Sequence, residues 1–155
     1  MRRLLLLAAV SLLVPAGALA AGFRFPSVSA NLGAKPKVGH THGPAPKKLR
    51  MKDVVVGKGR VARAGDDVTM QYVGKLYASG REFDASWDRG QPFAFPLGAG
   101  QVNAGIERGV KGMRVGGRRI LVIPPGLAYG AAGAPPDIPA NATLLFVVDL
   151  VGVSG

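Results

Sequence analysis

The segment Tyr72-Val73-Gly74-Lys75-Leu76-Tyr77 is followed by Phe83-Asp84-Ala85-Ser86 and then by Arg89-Gly90-Gln91-Pro92-Phe93. Extended back to Val68, the first block alternates. Val68, Met70, Tyr72, Gly74 and Leu76 fall on one side and Thr69, Gln71, Val73, Lys75 and Tyr77 on the other, the period of a half-buried strand. The blocks after it bring aromatic rings and one carboxylate close together in sequence that reads as strand and loop. Such a set makes a small apolar pocket with one polar group in its wall, which can hold an apolar group without covalent chemistry.

Further along the chain, Leu144, Phe146, Val148 and Leu150 form a second alternating face. Ile120 to Ile123 is a continuous apolar run that stops at Pro124-Pro125, as an interior strand does before residues that cannot extend a ladder. Val102, Ile106 and Val110 recur every four residues, which on a helix aligns them toward the sheet. Gly98, Gly100, Gly105, Gly109 and Gly112 keep that helix short. With 23 Gly and 12 Pro, many short strands and turns are expected, arranged as a sheet around one short helix with a ligand site between them.

A chain of 155 residues with 48% hydrophobic content fills one domain core. Its net charge of +11 is unevenly placed: all nine acidic residues lie at or after Asp53, where eleven of the twenty basic residues also lie, so that part carries only +2. The basicity belongs to the N-terminal segment, whose only aromatics are Phe23 and Phe25. That is no interleaved stacking surface, and a nucleic-acid role is not expected. Arg2-Arg3, the apolar Leu4 to Val14 and Ala18-Leu19-Ala20 read as a signal peptide over residues 1–20, cleaved after Ala20. The alternative, a retained anchor, is weakened by Pro15, Gly17 and Gly22 within the span such an anchor would need. Residues 21–48 show no helical or alternating period and recur in Gly, Pro, Ser, Asn and Lys, so a flexible basic tether is expected there, ahead of a domain over 49–155. The protein is therefore expected to be exported, to periplasm or medium, and to meet a membrane only through its leader.

The domain's chemistry is bounded by what it lacks. Cysteine is absent, and both histidines, His40 and His42, precede the domain, so disulfides, thiolate zinc sites, cysteine nucleophiles and Ser-His pairs are excluded. His40-Thr41-His42 has no acidic or thiol neighbour to complete a metal site, and neither metal nor cofactor is expected. Asp84 and Asp88, with Glu107, could be offered as paired carboxylates, but Asp84 beside Arg89 reads more simply as an ion-pair residue. Gly98-Ala99-Gly100 lacks the lysine and hydroxyl of a phosphate loop.

Taken with Leu121-Val122-Ile123-Pro124-Pro125, Ala128-Tyr129-Gly130 and Ile138 to Phe146, these blocks resemble, in order across about Leu49 to Val151, the FKBP-type peptidyl-prolyl isomerases, the tacrolimus-binding immunophilins. The resemblance implies an α+β fold, a strongly curved antiparallel sheet of about five strands wrapped around one short helix. It implies isomerisation of X-Pro bonds in proline-containing polypeptides, inhibition by tacrolimus-like macrolides, no cofactor and a monomer.

By the same resemblance, Phe83, Asp84 and Tyr129 act on the amide. Tyr72, Phe83, Phe93, Val102, Ile138 and Phe146 line the proline pocket. Gln101 and Asn103 lie at the ligand, the Asn103 peptide group donating to a ligand carbonyl and the Tyr129 hydroxyl to another. Asp84 is oriented by Tyr72 and Arg89. The sequence departs from the family at Ile106, where a pocket-floor tryptophan is usual, at Asn103, where isoleucine is usual, and at Ala134, where many relatives carry a larger flap residue. Trp87 is expected at the pocket margin. A binding module or weak chaperone that holds proline-containing segments without turning them over is the alternative, which a protease-coupled peptide assay separates.

Overall fold

The computed structural model describes residues 21–155. The leader expected over residues 1–20 lies outside them. Six strands and one helix follow in the order β1 (Arg50–Val55), β2 (Asp67–Leu76), β3 (Glu82–Ala85), β4 (Phe93–Pro96), α1 (Ala104–Val110), β5 (Arg118–Ile123) and β6 (Leu144–Ser154). The sheet runs β1-β5-β6-β2-β3, with β4 also paired to β2, and every pairing is antiparallel. One strand more than expected arises because β3 and β4 share a single edge. Along the outer side of β2, β4 pairs residues Asp67 to Met70, whereas β3 pairs Val73 to Lys75. Between them the chain leaves the sheet as a 3-10 turn, Ser86–Arg89.

The inner face of the sheet packs on α1. Val68, Met70, Leu76, Leu121, Ile123, Phe146 and Val148 meet Ile106 and Val110 of the helix. The contact is close because the helix turns two glycines toward the sheet: a Cβ on Gly105 would lie 2.3 Å from Ile123 Cγ2, and one on Gly109 2.4 Å from Leu121 Cδ1. Val102 lies ahead of the helix, so the four-residue stripe is helical only at Ile106 and Val110.

Residues 21–48, expected to form a tether, are laid against the outer face. They fold back on themselves through bridges Arg24–His42 and Val28–Val38. Phe23, Phe25, Val28 and Val38 cover Tyr77, Ile120, Val122, Leu145 and Val147, the outward residues of the sheet. This arm is tied as well as packed. Arg118, 0% exposed, holds Asp149 with two bonds of 2.6 Å and donates to the carbonyls of Ser29 at 2.5 Å and Ala34 at 3.1 Å. Thr41 donates to the Tyr77 carbonyl at 2.8 Å, and the Tyr77 hydroxyl to that of His42 at 3.0 Å. The missing periodicity follows from this role: the arm carries apolar residues only where they touch the sheet, and its polar backbone finds partners one at a time.

Candidate active site

The gap between β3 and β4 organises the site. Tyr72 falls in it, so its N–H has no strand partner on that side and donates instead to Ser86 Oγ at 2.8 Å. Ser86 is 0% exposed and donates in turn to Gln71 Oε1 at 2.5 Å, fixing the 3-10 turn against β2. The turn thereby brings Arg89 back over the strand. Arg89 reaches Asp84 Oδ1 at 2.5 Å and the Tyr72 hydroxyl at 2.8 Å, while that hydroxyl donates to Asp84 Oδ2 at 2.5 Å. The Arg89 guanidinium also lies 5.7 Å from the centre of the Tyr72 ring.

Both oxygens of Asp84 are thus engaged. Burial pushes this carboxyl up, but the bonds from Tyr72 and Arg89 and the arginine charge outweigh it and hold it below the ordinary value of 3.8. Burial, then the bond to Asp84, push the Tyr72 phenol up from 10.0 and keep it a donor. A carboxylate so held is a fixed charge and a poor proton acceptor.

The rings stand beside this triangle. Tyr72 meets Phe93 edge-on at 6.1 Å and Phe146 at 6.0 Å, and Phe83 meets Phe146 edge-on at 5.7 Å. Phe93, 37% exposed, stacks on buried Phe95 at 5.5 Å. Gly74 makes the arrangement possible, because a Cβ there would lie 2.7 Å from the Phe83 ring and 2.9 Å from that of Phe146. Val102, Ile106 and Ile138 belong to the same apolar cluster. Ile106 is 2% exposed, covered by its neighbours and not an open platform. Tyr129, 44% exposed, stands outside the cluster, and Gln101 is exposed at the start of the loop into α1.

Beyond the rings, the segment between β5 and β6 folds over as a flap in which Ala134 and Ile138 exchange backbone bonds of 2.8 and 2.9 Å. Arg81 in the β2–β3 turn donates to the Asp137 carbonyl and holds the flap down.

Two placements differ from the sequence reading. The side chain of Asn103, which stands where isoleucine is usual in the family, turns to the helix: its Oδ1 accepts the Ile106 N–H at 2.9 Å and caps α1. Trp87 lies on the far side of the turn, lining a hollow of about 220 Å³ with Leu32, Gln71 and Leu150, on the face that the arm covers. Two residues to which the sequence assigned no structural role prove structural: Ser86, and Glu107, whose carboxylate accepts from Gly98 at 2.5 Å and Gly100 at 3.1 Å and so steadies the loop carrying Gln101 and Val102. Among the described residues there is no cluster of His, Asp and Glu able to hold a metal ion.

A curved sheet over one helix, with aromatic rings and a locked Tyr-Asp-Arg triangle between, has close parallels. The sequence profile of the family described as FKBP-type peptidyl-prolyl cis-trans isomerase matches residues 58–151. The chain belongs to that family. The FK506-binding protein of Streptomyces anulatus is 52% identical over 120 residues, 77% of this chain and 97% of that protein. A probable FK506-binding protein of Corynebacterium glutamicum is 46% identical over 117 residues, 76% of this chain and 97% of its own length. Among solved structures, AtFKBP13 is similar with a TM-score of 0.64 and 39% identity over 70% of this chain and 94% of that one. FkpA from Escherichia coli has a TM-score of 0.63 and 44% identity over 68% of this chain and 48% of its own. The protein is accordingly a peptidyl-prolyl cis-trans isomerase, and its FKBP-type fold is the six-stranded sheet described above.

Proposed function

We propose that the apolar cluster around Phe83 and Phe146 is the prolyl pocket, and that the protein isomerises X-Pro bonds in polypeptides folding outside the cytoplasm. The observation that carries the pocket is the ring set held around Gly74 beside the Tyr72-Asp84-Arg89 triangle. The barrier to be lowered is the partial double bond of the amide, about 18–20 kcal/mol. A twisted amide has lost resonance and is less polar at its carbonyl, so an apolar pocket prefers it to the planar form, and each ~1.4 kcal/mol of preference gives about tenfold in rate. Tyr72, Phe83, Phe93, Val102, Ile138 and Phe146 supply that surface, and Ile106 backs it from beneath. Asp84, as a fixed charge, holds the Tyr72 ring and Arg89 in place beside the turning carbonyl. The Asn103 N–H and the Tyr129 hydroxyl donate to ligand carbonyls on either side.

Tacrolimus-like macrolides compete for the same cluster, a reading supported by the FK506-binding relatives. The export setting is supported by the basic, apolar and small-residue succession of residues 1–20, and the protein acts as a monomer.

The deciding experiment is a protease-coupled peptide assay on the purified protein, with Phe83→Ala and Tyr129→Phe. Phe83→Ala is expected to lower kcat/KM strongly. Tyr129→Phe removes one hydrogen bond, worth about 0.5–1.5 kcal/mol, and lowers it modestly with the melt unchanged. Full activity in Phe83→Ala at saturating tacrolimus would place the pocket elsewhere. For the setting, cell fractionation with N-terminal sequencing is expected to give an extracytoplasmic protein beginning at Ala21.

A further inference from the structure

A second concave surface lies outside the prolyl site, where the end of the arm meets β5 and α1. It is a groove of about 770 Å³ with apolar walls from Pro46, Leu49 and Leu127 and with Lys47, Lys48 and Arg108 around it. All three cations are exposed, and among the described residues none of them forms an ion pair. The carboxylates that could neutralise them are committed elsewhere. Glu107, next to Arg108, accepts from the Gly98 and Gly100 N–H groups, and Asp53 holds Arg119. Among the described residues, no acidic one lines the groove.

We propose that this groove is a second docking site for the client polypeptide, taking an acidic, apolar segment a few residues from the proline being turned. The chemistry of the walls selects the occupant: side chains such as Leu fill the space between the prolines and leucines, and carboxylates meet the three unpaired cations. Among the described residues no aromatic ring lines the groove, so a nucleic acid would find no stacking platform there. A bilayer surface would meet the cations and leave the recessed apolar walls empty.

The groove also shares a wall with the site proposed above, on whose assignment of Tyr129 this inference rests. The turn Pro125–Leu127 faces the groove, and the Pro125 carbonyl accepts the N–H groups of Ala128 at 3.0 Å and Gly130 at 2.9 Å, which flank Tyr129. Leu127 and Tyr129 are two residues apart, a span of at most about 7 Å. A single client chain therefore reaches both places with a few residues, and holding one end raises the effective concentration of the other.

The test compares a four-residue proline peptide with longer versions carrying six residues rich in Glu and Leu before or after it. The purified protein is set against its Lys47→Glu/Lys48→Glu variant. The short peptide is expected to be turned over equally by both. At least one extended peptide is expected to have a higher kcat/KM on the unaltered protein. On the variant it should lose on the order of tenfold, mainly through KM, and raised salt should close the gap. Anisotropy of the labelled Glu/Leu segment without proline reads the groove alone, so an inactive prolyl site would appear as loss of short-peptide turnover with this binding intact. Equal handling of every extended peptide by both proteins, with equal binding of the labelled segment, overturns the proposal. So does loss of phosphatidylglycerol-vesicle binding in the variant with no change toward the peptides, which would make the patch a membrane contact.

Discussion

At Gly74 a single missing methyl group decides whether two rings can meet. The residue sits opposite Asp84 in β3 and Phe146 in β6, and both phenylalanine rings lie where its side chain would project. Gly74→Ala should push Phe83 and Phe146 apart and cost about 1–3 kcal/mol in a denaturant melt. The loss in kcat/KM should be the larger effect, on the order of tenfold or more, because the pocket proposed above is built from these rings. Asp84 gives a second residue-scale expectation. Its folded value lies below the ordinary 3.8, so the unfolded chain takes up the proton first as pH falls. The stability it contributes is complete above 3.8 and is lost as pH drops through the lower folded value. Initial rates should thus be flat from neutrality down to about pH 4 and decline only below it. A midpoint near neutral pH would assign the titration to another group. The pair is more than a third exposed, so Asp84→Asn should cost under about 1 kcal/mol in stability.

Among the elements, α1 shows how a resemblance can hide a simpler signal. The resemblance implies a ligand role for the Asn103 peptide group, while its side chain, Asn ahead of a short apolar helix, caps that helix. Asn103→Ala should cost about 1 kcal/mol, read by denaturant melt, and should leave tacrolimus affinity unchanged if the backbone N–H alone meets the ligand. The strands β2 and β6 and the helix at Ile106 and Val110 were legible from the spacing of their apolar residues, and β5 from its continuous apolar run before Pro124-Pro125. The division of one sheet edge between β3 and β4 was not, because it rests on Ser86 replacing a strand as the partner of the Tyr72 N–H, a contact fourteen positions away in sequence. The nearness of Tyr72, Phe83 and Phe146 was legible from the strand blocks that carry them, and the inward turn of Ile106 from its helical spacing, but not the closeness of the rings, which rests on Gly74.

For the molecule as a whole, the arm is the part the sequence concealed, although a clue lay outside it. Ile120 to Ile123 is apolar throughout, and between the alternating residues Leu144, Phe146 and Val148 the outward Leu145 and Val147 are apolar too, so these strands need cover on both faces. With α1 on one face only, something else had to supply the other. Deleting residues 21–48 should therefore expose Ile120, Val122, Leu145 and Val147 and strip Arg118 of two acceptors. Residues 49–155 should melt well below the longer chain and shift the emission of Trp87, whose hollow includes Leu32 of the arm. Arg118→Met leaves Asp149 buried and unpaired, at a cost of about 3–5 kcal/mol, whereas the exposed Lys35 bonds to Glu82 and Asp88 are worth about 1 kcal/mol or less each. Equal melts for the two lengths would return the arm to the status of a tether.

The seat of the arm also sets an order of events. Its landing surface does not exist until β5 and β6 have paired, and the Arg118 bond to the Ser29 carbonyl closes a separation of 89 residues. The segment that leaves the ribosome early thus waits for almost the whole chain before it has anywhere to go. A nascent chain arrested before Leu144 should keep the arm open to protease, and completion of β6 should close it.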